Sequence, residues 1–471
     1  MTVQVNVQKR NPRLGRHAVI IGGGISGLSS AFFLSRRAAE EHFPLRITVL
    51  EASNRLGGVL RTLTHESLHM EAGADAFYAG QNDTLDLCRK LGLQEDVIEA
   101  SPCFRRFFGL KNKQLYPIPG LSGSFSDVFR FLNSPRLSFF GKCRMLGEPF
   151  IPRRKEDGDE SLASFIRRRL GQGFYQEVVK PLAQGVCMMN PERLSLEALF
   201  PRLRQVEKTH GSLAGSFLNK TSWRKEKVPA EFLTLRQGLE GLVHALVREL
   251  GRCELRRSSP VRQCAYNAGW EIFMEDGTLL CADILGFAMN ACDASKLLFT
   301  TAPELSLALS TVRYDSIAAV NLIYKAGDVL AQGPDFGFLV PMGGERCPFS
   351  SFKWLGKSSD GKHLLMRAFL SETMLPKVFH ENDALVKQRM QTFMSDFFGV
   401  HAKPLLIDIE RYPSALPQYE TGHFDRVKRI EKKGFQYPGL FFTGNGFHGF
   451  GITDCIRQSR ISVSSLQLSN L

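Results

Sequence analysis

The stretch HAVIIGGGISGLSSAFFL, residues 17–34, places spaced glycines between an apolar run and a helix-forming run. The first run predicts a β-strand and the second an α-helix, and LRITVLEA, residues 45–52, predicts the next strand. In such a βαβ unit Gly22 permits the tight turn, Gly24 lets a pyrophosphate approach the backbone, and Gly27 lets the helix pack on the strand. The sequence therefore predicts a Rossmann-type dinucleotide site.

The same unit identifies the groups that would meet the dinucleotide. The phosphate charge would be held by the amides and the dipole at the helix N-terminus. Glu51 ends the second strand and can accept hydrogen bonds from a ribose hydroxyl. The residues of this unit that we predict to contact the cofactor are Gly22, Gly23, Gly24, Ile25, Ser26, Gly27, Glu51 and Ala52.

The continuation EASNRLGGVLRT, residues 51–62, distinguishes FAD from NAD. Arg55 and the pair Gly57 and Gly58 resemble the signature of the amine-oxidase-like FAD enzymes. In that family the arginine and both glycine backbones lie along the pyrophosphate and the ribityl chain, whereas an NAD dehydrogenase has no use for a second glycine pair. The resemblance implies FAD as the cofactor, with Val59 also beside it.

Further segments narrow the resemblance. HMEAGADAF, residues 69–77, is similar to the family segment ending in E-x-G-x-x-x-F, which passes close to the isoalloxazine ring. With it the chain resembles the HemY-type protoporphyrinogen and coproporphyrinogen oxidases, over residues 17–465. The other matching segments are ESLASFIRRRLG (160–171), KPLAQGV (180–186), PERLSLEALFPRL (191–203), FGFLVP (336–341), LPQYETGH (416–423) and TGNGFHGFGITDCI (443–456).

The resemblance implies additional contacts with FAD. Val261 matches a residue whose backbone contacts adenine, and Tyr412 takes the place of an aromatic residue near the flavin. A helix that opens at GFGITDCI would favour the negative charge of reduced flavin at its N-terminus. The remaining implied contacts are Gly73, Ala74, Asp75 and Ala76 in the ring-facing segment, and Gly444, Gly451, Ile452 and Thr453 near the C-terminus.

The resemblance also implies a reaction, the oxidation of a porphyrinogen late in haem synthesis. Six electrons would leave in three steps, each sending a hydride from a meso carbon to flavin N5 while a pyrrole proton departs. Dioxygen would reoxidise the flavin and yield hydrogen peroxide. Because aromatisation supplies much of the driving force, we predict no catalytic residue beyond the cofactor. The substrate stays open between protoporphyrinogen, with two propionates, and coproporphyrinogen, with four.

A flat apolar macrocycle needs an apolar slot with a few polar anchors. By resemblance, the predicted walls are Phe336, Phe338, Leu339 and Phe369. Tyr78 occupies the place where some relatives carry a propionate-binding arginine, so a hydrogen bond is expected there. Ala74 stands where the family usually has proline, which leaves the shape of the pocket open. We interpret His423 and His448 as structural hydrogen-bonding histidines.

Composition limits the partners. The 471 residues carry a net charge of +13, which favours an anionic partner. We predict no nucleic-acid binding, because zinc-finger spacing, an RNA-recognition consensus and long Lys/Arg blocks are missing from the sequence. Residues 104–155 mix Phe, Leu and Pro with many cations and only Asp127 and Glu148 as acids. This mixture predicts contact with an anionic membrane surface, or else the lip of an apolar tunnel.

The cysteines favour a reducing compartment. Ten are scattered without a C-x-x-C pair, which predicts neither a disulfide framework nor a metal site. The sequence also contains no uninterrupted run of about 18 apolar residues that could span a bilayer. We therefore expect a cytoplasmic protein, peripheral on the inner face of the membrane. The resemblance further implies that its product is handed over to a ferrochelatase.

The predicted fold class is α/β with mixed α+β parts. It has a discontinuous Rossmann-type FAD-binding domain, a mixed-sheet substrate domain and a helical membrane-associating region. The FAD-binding domain comprises residues 1–75, 231–297 and 421–471. The substrate domain comprises residues 76–103, 200–230 and 298–420, and the helical membrane-associating region comprises residues 104–199. The alternatives are an amine oxidase or carotenoid desaturase on the same scaffold, a flavin-free binding protein of the GDP-dissociation-inhibitor kind, and a related protein with decayed activity.

Overall fold

The computed structural model describes residues 7–8, 16–66, 68–100, 107–111, 114–118, 138–214, 232–329, 337–341, 347–358, 361–371 and 374–468. Within them the strands assemble into five sheets. The strands are β1 Val7–Gln8, β2 Arg16–Ile21, β3 Leu45–Leu50, β4 Thr62–His65, β5 Leu68–Glu71, β6 Phe77–Tyr78, β7 Val97–Glu99, β8 Phe107–Lys111, β9 Gln114–Ile118, β10 Phe232–Leu235, β11 Glu254–Arg256, β12 Val261–Tyr266, β13 Trp270–Met274, β14 Leu279–Ala282, β15 Ile284–Phe287, β16 Tyr314–Lys325, β17 Gly337–Pro341, β18 Phe349–Lys357, β19 His363–Leu370, β20 Leu406–Pro417 and β21 Leu440–Phe442.

Helices cover or connect these sheets. They are α1 Ile25–Glu40, α2 Asp83–Lys90, α3 Phe139–Leu146, α4 Leu162–Leu170, α5 at residues 172–187, α6 Leu196–Leu199, α7 Pro201–His210, α8 Glu240–Glu249, α9 Ala291–Leu298, α10 Pro303–Ser310, α11 Leu375–His380, α12 Asp383–Phe398, α13 His423–Gly434 and α14 Ile452–Ser464. Helix α5 contains two π-helical stretches, Tyr175–Val179 and Ala183–Cys187. In the described part of the chain, no helix is both long enough and apolar enough to cross a bilayer.

A five-stranded parallel sheet, with strand order β11-β3-β2-β15-β21, carries the dinucleotide motif. Consecutive residues of β2 alternate between two hydrophobic clusters. Ala18 and Ile20 pack with helices α1, α8 and α14, whereas Val19 and Ile21 pack with β12–β14 and with helices α9, α10 and α13. Coverage of both faces explains why this strand is apolar throughout rather than alternating. The predicted mixed α/β class is confirmed.

A seven-stranded sheet, with order β20-β16-β19-β18-β17-β8-β9, forms the second layer. Its neighbours are antiparallel except for the parallel pair β17 and β8. One face packs against helices α11 and α12 through a cluster that includes Leu322, Phe352 and Met366. On the opposite face Ile323 packs with Met70 of β5, so this face is turned toward the dinucleotide unit.

Residues 104–199, which we predicted as helical, contain two strands before their first described helix. β8 and β9 extend the seven-stranded sheet at its edge. β17, the partner of β8, lies more than 200 residues away in the sequence, so a local pattern could not reveal this pairing. The helices that follow pack around Phe165 and Tyr175, and this cluster also includes Val340 of β17.

Candidate active site

The N-terminus of α1 is built as an anion site. Its N-cap residue, Gly24, has no side chain to accept hydrogen bonds from the first-turn amides, so those amides stay available to an anion. Gly22 has a φ of 109°, and a side chain at Gly27 would collide with the carbonyl oxygen of Gly22. The close approach of strand and helix therefore requires glycine at both positions.

The second glycine pair lies against this turn. The Gly57 amide donates to the Gly23 carbonyl at 2.8 Å, and Gly57 and Gly58 both have positive φ. A Cβ on Gly24 would meet nothing closer than the Cα of Gly58, at 3.9 Å. Open space thus lies beside the uncapped helix end, where a diphosphate would need it.

Arg55 holds the glycine loop in shape. Its guanidinium donates to the carbonyls of Leu56 at 3.1 Å and Leu60 at 3.2 Å, and also to the carbonyl of Gly58. The carboxylate of Glu240 lies 3.8 Å away. The bonds to the loop carbonyls fix the backbone that borders the open space, which is a positioning task for this arginine.

Glu51 is oriented at the other end of the turn. Its two carboxylate oxygens accept the amides of Gly23 and Ser53, each at 2.8 Å. A carboxylate has lone pairs beyond these two, so a ribose hydroxyl can still donate to it. The Ser259 amide donates to the Glu51 carbonyl at 2.9 Å, which brings the segment leading to Val261 to the same end.

The predicted ring-facing segment meets two other parts of the site. A side chain at Gly73 would collide with the carbonyl of Val59 and would come within 3.1 Å of the hydroxyl of Tyr412 on β20. Residues from three distant stretches therefore converge here. The path from Gly24 through Gly58 and Val59 to Gly73 runs from the helix end to the seven-stranded sheet.

The C-terminal stretch closes the site. Gly444 has a φ of 125°, and a side chain on it would come within 3.9 Å of the Ser26 hydroxyl. Helix α14 begins after Gly451, and the hydroxyl of Thr453 donates to the carbonyl of Tyr78 at 3.0 Å. The turn at Gly444 thus lies beside the first turn of α1, and the predicted propionate position at Tyr78 borders the N-terminus of α14.

A buried charged cluster, formed by Asp75, Lys353 and Arg367, was missed in the sequence. Asp75 pairs with both cations, and Arg367 also donates to the carbonyl of Gly73 at 2.8 Å and to the side chain of Asn321 at 2.6 Å. Although burial alone would raise the pKa of Asp75, Arg367 and Lys353 hold it below its usual range. The available signal was a cation in the interior of two strands, Lys353 in β18 and Arg367 in β19.

Glu71 is a second buried acid close to this cluster. It accepts the Leu239 amide at 2.6 Å and the Thr62 hydroxyl at 3.1 Å. Burial raises the pKa of Glu71 to about 7, and the charge of Asp75 adds to the effect while the backbone hydrogen bond opposes it. This carboxyl therefore changes protonation near neutral pH.

The predicted slot walls fall in different places. Phe369 lies beside the cluster, with its ring centroid 4.9 Å from the Nζ of Lys353. Leu339 is buried in the cluster that faces α11 and α12, on the other side of the sheet. Phe338 pairs in register with Lys353 through its backbone, and Phe336 lies outside the described residues. Phe369 is the predicted wall residue with a described contact to the charged cluster.

The two histidines have structural partners. His423 is buried, its Nε2 lies 2.8 Å from the carbonyl of Phe447, and its ring stacks on Tyr419 at 3.8 Å. Burial lowers the pKa of His423 to about 4, so it is neutral at physiological pH. His448 pairs with Glu431 at 2.7 Å. The Nε2 atoms of both histidines thus have hydrogen-bond partners within the fold.

These features together fit FAD. The uncapped helix end and the open space at Gly24 suit a diphosphate, and Glu51 suits a ribose. The model of the flavin containing amine oxidoreductase family matches residues 25–465. The chain belongs to this family. FAD is accordingly its cofactor, and the protein is an FAD-dependent oxidoreductase.

Curated relatives and solved structures extend this result. The chain is 28% identical to the coproporphyrinogen III oxidase of Bacillus subtilis, over 95% of this chain and 97% of the relative. It is 29% identical to the protoporphyrinogen oxidase of Homo sapiens, over 96% and 98%. A crystal structure from Exiguobacterium sp. 255-15, provisionally named protoporphyrinogen oxidase, superposes with a TM-score of 0.82 at 26% identity, over 96% and 99%.

The fold is shared with more distant proteins. A putrescine oxidase variant superposes with a TM-score of 0.64 at 14% identity, over 96% of this chain and 98% of that one, which shows a shared fold alone. The relatives at 28–29% identity confirm the predicted resemblance to porphyrinogen oxidases.

Proposed function

We propose that the protein oxidises a porphyrinogen to a porphyrin in haem biosynthesis. The observation that carries this proposal is the similarity to coproporphyrinogen III and protoporphyrinogen oxidases along nearly the whole of both chains. The charged cluster and Phe369 support it, because a carboxylated macrocycle requires an aromatic wall with cations nearby.

The residues of the chain would bind and orient the two reactants. Bound FAD would supply the acceptor for the hydride lost by a meso carbon. The amides at the N-terminus of α1 would hold the diphosphate, and Glu51 would hold the ribose. Phe369 would pack on the macrocycle, and Tyr78 would donate a hydrogen bond to a propionate. Orientation of this kind lowers the barrier because the reactants no longer lose translational and rotational freedom at the moment of reaction.

Dioxygen is the proposed final acceptor. The loss of six electrons from a porphyrinogen balances the reduction of three dioxygen molecules to three of hydrogen peroxide. The protons come from the meso carbons and the pyrrole nitrogens of the substrate. We therefore expect a peroxide-to-porphyrin ratio of about three, as the six-electron balance requires.

An anaerobic titration tests this function. Coproporphyrinogen III and protoporphyrinogen IX are each added to the purified holoenzyme, and the visible absorbance of the flavin is followed. We expect bleaching with at least one of them, followed by recovery of the flavin, porphyrin fluorescence and peroxide when oxygen is admitted. Putrescine serves as the control substrate. Flavin that stays oxidised with both porphyrinogens, or that bleaches with putrescine alone, would refute the proposal.

We further propose that the protein is cytoplasmic and touches the inner face of the membrane through helix α3 and the turn after it. Phe139, Phe140 and Phe150 expose 74%, 83% and 88% of their surface. Large apolar side chains so exposed and so close in the chain indicate an interaction site. Arg153 and Arg154 lie three and four residues after Phe150, and cations near aromatic side chains suit an anionic headgroup layer.

Vesicle sedimentation tests the membrane contact. Phe150→Ser should weaken binding to vesicles containing phosphatidylserine by roughly tenfold or more, because a fully buried phenylalanine contributes about 1.5–3 kcal/mol. Phe435 is also 85% exposed but lies after α13, so Phe435→Ser is the matched control. Equal binding of both variants would contradict this assignment. We propose hand-over of the porphyrin to a ferrochelatase from the same surface, which co-sedimentation of the two enzymes would test.

A further inference from the structure

The stretch LPQYETGH, residues 416–423, contains two buried rings that pack on each other. Tyr419 exposes 1% of its surface and His423 exposes none. The ring centroids lie 3.8 Å apart and the ring planes differ by 16°. The two side chains therefore form one packed unit, which we call the stacked pair.

The hydroxyl of Tyr419 engages the irregular segment that joins β21 to α14. This segment, residues 443–451, is called the C-terminal loop below. The hydroxyl donates to the carbonyl of Asn445 at 2.7 Å and accepts the amide of Gly449 at 2.8 Å. One buried hydroxyl thus ties together two loop residues that are four positions apart.

His423 bonds to the loop between these two residues. Its Nε2 lies 2.8 Å from the carbonyl of Phe447. Because a carbonyl oxygen can only accept, the proton of the neutral ring lies on Nε2. Burial lowers the pKa of His423 to about 4, so the ring carries this single proton at neutral pH. The stacked pair therefore holds every second loop residue from 445 to 449.

The segment that carries the stacked pair is also attached to the helical part of the chain. The backbone carbonyl of Tyr419 accepts the amide of Ser195 at 2.8 Å. The carboxylate of Asp159 accepts the amide of Gly422 at 2.9 Å and the hydroxyl of Ser195 at 2.6 Å. The pair therefore does not depend on the C-terminal loop alone for its own position.

The two ends of the C-terminal loop are predicted contacts of FAD. A side chain on Gly444 would come within 3.9 Å of the Ser26 hydroxyl, in the first turn of α1, and Gly451 is the N-cap residue of α14. Helix N-termini favour phosphate groups and the negative charge of reduced flavin. The conformation of the loop therefore determines how Gly444 and the start of α14 are presented to the cofactor.

We propose that Tyr419 and His423 are positioning residues of the FAD site, which hold the C-terminal loop in the conformation that retains the cofactor. They act through the backbone of the loop rather than on the reacting atoms. Removing their hydrogen bonds leaves backbone groups of the loop without these partners, which favours other loop conformations. Only molecules with the loop in place retain FAD, so the apparent affinity falls with their fraction. The inference concerns the cofactor and does not depend on which substrate is oxidised.

Two variants and a matched control test the stacked pair. Tyr419→Phe keeps the ring and its stacking but removes both hydroxyl bonds. His423→Phe keeps an aromatic ring and removes one bond. Tyr324→Phe is the control, because the Tyr324 hydroxyl is buried and has no hydrogen-bond partner within the described residues. Its side chain packs in the cluster that faces α11 and α12, on the other side of the seven-stranded sheet.

FAD release is measured on the holoenzyme as the rise of flavin fluorescence after dilution. We expect release at least about tenfold faster in Tyr419→Phe, since two hydrogen bonds together are worth about that factor. His423→Phe should show a smaller increase, and Tyr324→Phe should behave as the unmodified protein. The flavin reduction potential should fall in Tyr419→Phe, because a displaced α14 N-terminus no longer favours the negative charge of reduced flavin.

Three results would overturn the inference. The first is FAD release from Tyr419→Phe at the rate of the control, even with a lower denaturation midpoint, which would make the pair a structural contact alone. The second is equally fast release from Tyr324→Phe, which would attribute the effect to any buried tyrosine hydroxyl. The third is faster release with an unchanged reduction potential, which would trace the release to unfolding of the whole protein. If Tyr419→Phe does not fold, the same comparison of His423→Phe with the control decides.

Discussion

Replacement of Gly24 by valine should separate cofactor binding from folding. The backbone at Gly24 has φ −73° and ψ −176°, a conformation that valine adopts readily. The nearest atom to a new Cβ is the Cα of Gly58 at 3.9 Å, an ordinary van der Waals contact. The added methyl groups would instead occupy the space beside the uncapped end of α1.

The structure sets the expected magnitude. Because the substitution creates neither backbone strain nor a collision, we expect the free energy of unfolding without FAD to change by less than about 0.5 kcal/mol. A ligand present at 100 times its Kd stabilises a protein by about 2.7 kcal/mol. If the methyl groups exclude the diphosphate and weaken binding at least about a hundredfold, nearly all of this stabilisation disappears.

The assay is thermal unfolding with and without added FAD, together with the flavin content of the purified protein. Gly24→Val should match the unmodified protein without FAD and lose the shift that FAD produces. Gly173→Val is the control, since a Cβ there meets nothing within 4 Å. Gly27→Ala should instead destabilise the protein even without FAD, because its Cβ collides with the Gly22 carbonyl. Normal flavin content in Gly24→Val would refute the assignment of the phosphate turn.

Three further predictions concern buried charges. Arg169 is completely buried and pairs with Glu148. Arg169→Met should therefore lower the free energy of unfolding, measured by chemical denaturation, by about 3–5 kcal/mol, and adding Glu148→Gln should recover part of this loss. An unchanged denaturation midpoint in Arg169→Met would contradict this prediction. The pKa of His423 falls from 6.5 to about 4 on folding, so stability should decrease by up to about 3 kcal/mol as the pH drops from 6.5 to 4. His423→Asn should make stability less dependent on pH between 6.5 and 4. An unchanged dependence in this variant would count against the lowered pKa of His423. The pKa of Glu71 rises from 4.5 to about 7, which destabilises the fold as the pH rises through that range. Glu71→Gln should therefore be more stable than the unmodified protein at pH 8 and similar at pH 4.5, and equal stability at both would exclude the raised pKa.

The dinucleotide unit could be predicted from the sequence because its determinants are local. Gly22, Gly24 and Gly27 lie within one strand–turn–helix segment, and their spacing predicts which backbone atoms approach each other closely. The boundaries of β2, β3 and α1 follow from the same pattern. Strand β8 could not be predicted in this way, since its formation depends on pairing with β17, far along the chain.

The sequence by itself determined the βαβ unit, the family resemblance and the cofactor, because each depends on residues that are close together or on a motif in a fixed order. Only the tertiary structure decided which buried charged groups pair with one another. Asp75 is 278 residues from Lys353 and 292 from Arg367, and each cation alone is one polar residue in an apolar strand. The register of β18 and β19 places Lys353 and Arg367 on one face of the sheet. The segment after β5 packs on that face and brings the carboxylate of Asp75 to the two cations. A charge cluster of this kind has no local signature because its energy comes from burial and pairing, and both exist only in the folded chain.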